Sequence, residues 1–351
     1  MARAAADTHG LRSRHRLRPG PRSRVRPGRR RASALLAAAL LAAAVGCSEE
    51  PSGDHPRESR SSGTGSHAPP EAGGGAGRPE QGPYEVRTRS VPSSAVDGRF
   101  RGGTIHYPDG DTGGGDRSKD NGNGKDNGKD NGKDNGKDRG KDFGVIAASP
   151  GLGAEESMVT LYGKLLASHG FVVITFDTRT PEDSPAQRGR QLLQALEYVT
   201  ERSPLADRTD PHRLGVTGHS MGGGGALFAA SRDRDIKAVV SLTPYAERED
   251  PPELKTVKAP TLVIGGGSDE IAPVPQHAEA FYEGLGAARE REYLELRGDH
   301  FVATPPGKLV GSQVVAWFER FLDDERGSAD SLCPPPRDAL VTESRDTCPY
   351  G

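Results

Sequence analysis

Gly218-His219-Ser220-Met221-Gly222 constrains this chain more than any other stretch. A short apolar run, Leu214-Gly215-Val216-Thr217, leads into it, and a helix-like run opening with Gly222 to Gly225 leads out. A Gly-x-Ser-x-Gly pentapeptide alone is weak. Between a strand and a helix it specifies a sharp turn that lifts the serine hydroxyl above a sheet. The two glycines follow from that geometry, since a side chain at 218 or 222 would collide with the neighbouring strand or helix. The bland alternative is a Gly/Ser-rich connector, and it is weighed by whether the rest of the chain supplies a base, an acid and an oxyanion hole.

The flanking sequence predicts a sheet for the pentapeptide to sit on. Buried-strand runs are expected at Phe143 to Ser149, Phe171 to Phe176, 213–217, Ile236 to Leu242, Thr261 to Gly265 and Arg291 to Leu296. Helical spacing falls between them, at 155–169, 188–202, 221–231, 276–285 and 312–322. Shorter strands are expected around Val86, Val91 and Val96 and at Gly102 to Tyr107. Strands alternating with helices predict a mainly parallel sheet covered on both faces, with active residues at the C-terminal strand ends.

The remainder is poor in large apolar residues. Hydrophobic content is 33%, with 47 glycines and 28 prolines, and the deficit concentrates at 48–83 and 109–142, so the apolar sequence suffices for one large core rather than two. A formal net charge of -2 gives no global field for nucleic acid. Residues 1–46 read as an export leader: an Arg-rich start, the run Ala32 to Val45, then Gly46-Cys47. That run is shorter than the roughly 20 residues a spanning helix needs. Ala44-Val45-Gly46-Cys47 resembles a bacterial lipobox, so Cys47 is the expected lipidation site and residues 47–83 a flexible tether to a membrane. Arg29-Arg30-Arg31 suits either a general or a twin-arginine route. The expectation is a surface-anchored lipoprotein on the outer face of the membrane, with a secreted form as the alternative. The other two cysteines, Cys333 and Cys348, should pair in an oxidising compartment and pin the tail, worth roughly 3 kcal/mol by loop entropy.

At 116–142 the unit Lys-Asp-Asn-Gly recurs, beginning at Lys125, Lys129 and Lys133 with a variant at Lys137. Charges balance within each unit and nothing in it can be buried, so it reads as a solvated insertion between strands of a single domain at 84–351. Asp and Asn beside Gly raise calcium as a ligand, but each unit carries a lysine and no terminal bidentate Glu appears. No metal and no cofactor are assigned.

A serine hydroxyl needs a base and a carboxylate that orients it. Asp269 stands just past the run 261–265 and His300 just past 291–296, in the order Ser, Asp, His that such sheets use. Glu270 and Asp299 compete for the acid's role, the first adjacent to Asp269 and the second too close in sequence to His300. His219 reads as a cleft wall in contact with substrate. His106, His169, His212 and His277 read as surface or capping residues. Oxyanion donors are expected at the backbone amides of Met221 and of Leu152, in the turn after 143–149.

With these residues in place the chain resembles the bacterial cutinases and polyester hydrolases of the α/β-hydrolase superfamily, which also holds lipases similar to dienelactone hydrolase. The resemblance rests on Ser149-Pro150-Gly151, Ala167 to Val173, Gly218 to Gly225, Leu242-Thr243-Pro244, Ile271 to Val274 and His300-Phe301. The spacing of Cys333 and Cys348 matches that family's C-terminal disulfide. The resemblance implies an α/β-hydrolase fold; no lid-like insertion is visible in the sequence, and a monomer is expected. It implies a triad of Ser220, Asp269 and His300 and oxyanion amides at Leu152 and Met221, and the expected reaction is hydrolysis of short-chain or aliphatic esters, polymeric ones included. The chain departs from the family at Leu152, where an aromatic is usual, at Gly153 for Thr, and at Tyr245 for Trp. Leu152 and Tyr245 are the corresponding substrate contacts. Gly267 and Arg297-Gly298-Asp299 replace acidic positions of the family's calcium site, so that ion is not carried over. Two rivals are a triacylglycerol lipase, disfavoured by the missing lid, and a non-catalytic surface lipoprotein that keeps the fold to bind.

Overall fold

The computed structural model describes residues 77–110, 142–247 and 251–350, all within the compact unit Ala68–Gly351. The expected export leader, the expected lipidation site Cys47, the expected tether as far as residue 76 and the repeat at 116–141 lie outside the described residues. The described packing starts at Gly77, ahead of the boundary expected at Tyr84. The Gly77 carbonyl accepts the Lys308 amide at 3.1 Å, the Gly82 amide meets Ser168 Oγ at 2.9 Å, and Pro79 packs where a Cβ on Gly311 would sit.

Nine strands form one sheet among the described residues, in the order β1-β2-β4-β3-β5-β6-β7-β8-β9. They are β1 Val86–Val91, β2 Gly103–Pro108, β3 Phe143–Ser149, β4 Val172–Phe176, β5 Thr209–His219, β6 Ile236–Leu242, β7 Thr261–Gly266, β8 Arg291–Leu296 and β9 Val341–Asp346. The six from β4 to β8 run parallel. The edges β1, β2 and β9 are antiparallel. β3 and β4 are buried on both faces and therefore read as nearly unbroken apolar runs, and β6 departs from this only at exposed Lys237 and buried Ser241. Edge strand β1 exposes Arg87 and Arg89, charges that discourage pairing with another chain.

Side chains alternate between two cores, as strand geometry requires. Ile146, Val173, Leu262 and Ile264 face helices α1 (Thr160–Ser168) and α5 (Lys308–Leu322). Val145, Ile174 and Val263 face α2 (Pro185–Glu197), α3 (Met221–Arg232) and α4 (Ala278–Gly284). Helix α2 starts ahead of the expected Arg188 because Ser184 and Gln187 form a capping box with Pro185 in the first turn. Helix α1 starts later than Glu155, after a single 3-10 turn at Glu156–Met158. Val96 lies in a turn rather than a strand, and β9, alternating Val-Thr-Glu-Ser-Arg-Asp, has no apolar run to announce it. Cys333 and Cys348 are bonded, and Tyr350 beyond them packs its ring on Trp317 and Phe321.

Candidate active site

The C-terminal ends of the parallel strands lie level. Gly218 of β5 is in register with Ser149 of β3 and Ser241 of β6, and Gly266 of β7 with Leu296 of β8. Ser220 sits between the last residue of β5 and the first of α3 at φ 55°, ψ -119°. A non-glycine residue there stores roughly 1–3 kcal/mol and persists only where its surroundings over-determine it. Here the Ser220 amide donates to the Leu242 carbonyl at 2.9 Å, and its carbonyl accepts from Gly224 at 3.0 Å and Tyr245 at 2.9 Å. The flanking glycines are obligatory. A Cβ on Gly218 would lie 2.5 Å from the Gly222 backbone, and one on Gly222 2.2 Å from the Ser149 carbonyl oxygen.

Asp269 and His300 meet. His300 Nδ1 lies 2.7 Å from Asp269 Oδ2, and the two side chains are 5% and 1% exposed. The other carboxylate oxygen, Oδ1, accepts the amides of Ile271 at 2.9 Å and Ala272 at 2.7 Å. Those two bonds fix the carboxylate, and the carboxylate fixes the ring, leaving Nε2 as the nitrogen that can serve a hydroxyl. Glu270 is exposed. Asp299 is exposed too, and its carboxylate accepts the Phe301 amide at 2.9 Å. Neither reaches the ring through a described bond.

His219 departs from the expected cleft wall. It is 1% exposed, so it cannot present a face to substrate. Its Nε2 lies 2.9 Å from the His300 carbonyl and its ring stacks on Phe301 at 5.6 Å. A carbonyl can only accept, so Nε2 carries the proton. Burial holds the imidazole at a pKa of about 4, hence neutral. The Thr243 hydroxyl donates to the same His300 carbonyl at 2.9 Å. The loop carrying His300 is thereby tied to the residue before Ser220 and to the end of β6. Sequence reasoning missed Thr243, whose identity in Leu-Thr-Pro was visible but whose partner is distant in sequence.

The other histidines are placed as follows. His169 and His277 stand at the C-cap of α1 and the N-cap of α4, where capping residues were expected. His106 does not lie at the surface: it is 1% exposed under α1, 3.0 Å from Thr175 Oγ1, in the space a Cβ on Gly163 would need. His212, on β5, is exposed.

Gly151 lies next to Ser220: a Cβ added to it would fall 3.1 Å from Ser220 Cβ. Leu152 follows it and is 57% exposed. Met221 is the first residue of α3, so its amide has no acceptor within the helix. Tyr245 is half-buried and stacks on His277 at 4.8 Å. Close by, Met158, Leu161, Phe301 and Pro305 line a hollow of about 430 Å³. Among the described residues no group of three His, Cys, Asp or Glu side chains is placed to hold a metal ion.

Residues 134–349 match the family model described as PET hydrolase-like. The chain is 42% identical over 273 residues to bis(hydroxyethyl) terephthalate hydrolase of Streptomyces coelicolor, covering 77% of this chain and 78% of that protein. It is 40% identical over 275 residues to cutinase 2 of Thermobifida cellulosilytica, covering 77% and 92%. Cutinase cut1 of Thermobifida fusca is likewise 40% identical, covering 77% and 76%.

Proposed function

The chain belongs to the PET hydrolase-like family and is a serine hydrolase of carboxylic esters, and from that premise we propose that Ser220, His300 and Asp269 carry the reaction. His300 Nε2 takes the Ser220 proton as the hydroxyl oxygen attacks the ester carbonyl. The oxyanion that forms is held by the Leu152 and Met221 amides, and collapse expels the alcohol with the proton returned through His300. Water then repeats the sequence on the acyl-enzyme, releasing the acid. The observation that carries this assignment is the buried 2.7 Å Asp269–His300 pair, fastened through the His300 carbonyl to His219, the residue before Ser220.

The substrates are esters, including polyesters, in keeping with relatives named as cutinases and as a bis(hydroxyethyl) terephthalate hydrolase. Within that class we assign preference to short-chain and aliphatic esters. Leu152 offers apolar area at the cleft mouth without an aromatic face, and the ring of Tyr245 is already engaged by His277. The protein is exported through its leader at 1–46 and held at the membrane surface by lipid on Cys47, with residues between Cys47 and the domain as tether. The domain acts as a monomer and needs no cofactor. Metabolic labelling with a fatty-acid probe, lost in Cys47→Ala, checks the anchor. For the chemistry, the expected outcome is that the protein hydrolyses p-nitrophenyl butyrate and that Ser220→Ala loses on the order of 10⁶ in kcat. An inert wild type, or an alanine variant that keeps its rate, overturns the assignment.

A further inference from the structure

Arg188 of α2 is fully buried, and every hydrogen bond described for its guanidinium goes to a main-chain carbonyl. Nε donates to Asp183 at 2.8 Å, Nη1 to Pro150 at 3.0 Å and Nη2 to Pro181 at 2.7 Å. The nearby Asp183 carboxylate is occupied otherwise, by the Thr180 amide and hydroxyl and by Gln191 Nε2. Taking a cation out of water is unfavourable, and although Asp183 attracts this one through space, no carboxylate is described in a hydrogen bond with it, the arrangement that compensates a buried guanidinium best. An apolar side chain would fill the same space with no such cost, so the charge and the planar fork need a reason in what they hold.

What they hold is the turn that faces Ser220. Pro150 is one anchored peptide. Pro181 is the other, because its carbonyl also accepts the Gly153 amide at 2.9 Å. Leu152 lies between these two fastened points, on a turn where a Cβ added to Gly151 would fall 3.1 Å from Ser220 Cβ and where Gly153 takes φ +68°. Loops of this kind keep a geometry only where something outside them sets it. One rigid fork with donors at fixed angles sets both ends at once, which a lysine's single flexible ammonium cannot do.

We propose that Arg188 is a positioning residue for the oxyanion hole: by fixing the carbonyls of Pro150 and Pro181 it holds the 150–153 turn so that the Leu152 amide points at the developing oxyanion. This rests on the reading of Leu152 and Met221 as the hole. Misaligning a donor by about an ångström costs on the order of 10²-fold in rate, and the loss falls on kcat because the ground-state ester barely uses the hole.

The test uses the full chain and its variants Arg188→Met and Arg188→Lys, with p-nitrophenyl butyrate and its thiono analogue, in which sulfur replaces the carbonyl oxygen. Sulfur is larger and a weaker acceptor, so the oxo-to-thiono ratio of kcat reads the hole itself. The expected result is a fall in kcat of about 10²-fold for Arg188→Met and about tenfold for Arg188→Lys, with KM within about threefold. The oxo-to-thiono ratio falls alongside. A purely structural arginine predicts a lowered Tm with kcat and the ratio unchanged in the folded enzyme, and that outcome overturns the proposal. If Arg188→Met does not fold, Arg188→Lys decides by the same two readings. A wild type that does not discriminate the thiono ester overturns the assignment of the hole, and this inference with it. Loss of the ester activity's dependence on Ser220 would instead overturn the function, which separates the two failures.

Discussion

Replacing Asp269 by asparagine changes one oxygen to an amide nitrogen, and the structure dictates where that nitrogen must go. Oδ1 accepts two backbone amides, from Ile271 and Ala272. An NH₂ group in that place would face two donors and leave them unsatisfied, at about 1–3 kcal/mol each. The asparagine therefore keeps its carbonyl toward Ile271 and Ala272 and turns its NH₂ toward His300 Nδ1, 2.7 Å away in the parent. Two donors cannot share that bond, so the imidazole must adopt the tautomer with its proton on Nε2. In that state the ring has no lone pair to receive the Ser220 proton. A wrong-tautomer histidine loses about 10⁴ in kcat by analogy with the serine protease triad, which corresponds to about 5.4 kcal/mol of transition-state stabilisation. KM for p-nitrophenyl butyrate and Tm should change little, since shape and both backbone bonds survive. A variant whose kcat stays within tenfold of the parent would refute the reasoning, because the carboxylate would then not be setting the tautomer.

Two further outcomes follow from the same geometry. Leu152→Tyr restores an aromatic face at the cleft mouth worth about 0.5–1.5 kcal/mol. It should raise turnover of aromatic esters up to about tenfold while leaving aliphatic esters near parity; equal aromatic activity in the two proteins contradicts the role given to Leu152. Glu292 of β8 is fully buried, with Oε1 unpartnered, Oε2 receiving the Tyr350 hydroxyl at 3.2 Å and Asp346 opposite on β9. Burial pushes its carboxyl from 4.5 up to about 8. The unfolded chain therefore releases this proton first, and stability contributed by the site falls as pH rises from about 4.5 to about 8, then levels. Glu292→Gln keeps an acceptor for Tyr350 and should flatten that part of the Tm profile between pH 5 and 8.5; parallel profiles for the two proteins would contradict it.

Much of the parallel half of the sheet was legible because its strands are apolar on both faces, and Gly218 and Gly222 announced the turn because the collisions they avoid lie within a few residues or one strand away. Features governed by distant partners were not. Edge strand β9 carries polar and charged residues because most of it is exposed, and on its more covered side Arg345 lies over Tyr293 and pairs with Glu279 and Glu283 of α4. Arg188 reads as an ordinary polar position on a helix, and only the folded path of residues 150–153 and 181–183 turns carbonyls toward it. His219 was misassigned to the cleft because adjacency to Ser220 says nothing about which side of the strand end a ring will take. The start of α2 was readable in retrospect from Ser184-Pro185-Ala186-Gln187, a capping box that helical periodicity alone passes over.

The central claim is that Ser220 forms a covalent acyl intermediate. Acid quenching of the protein within milliseconds of mixing with p-nitrophenyl butyrate, followed by peptide mass spectrometry, measures it directly. The account predicts a butyryl group on the peptide containing Ser220, absent from Ser220→Ala and accumulating with the burst of nitrophenol. Steady hydrolysis by a folded wild type with no adduct, or with the adduct on another residue, would contradict it.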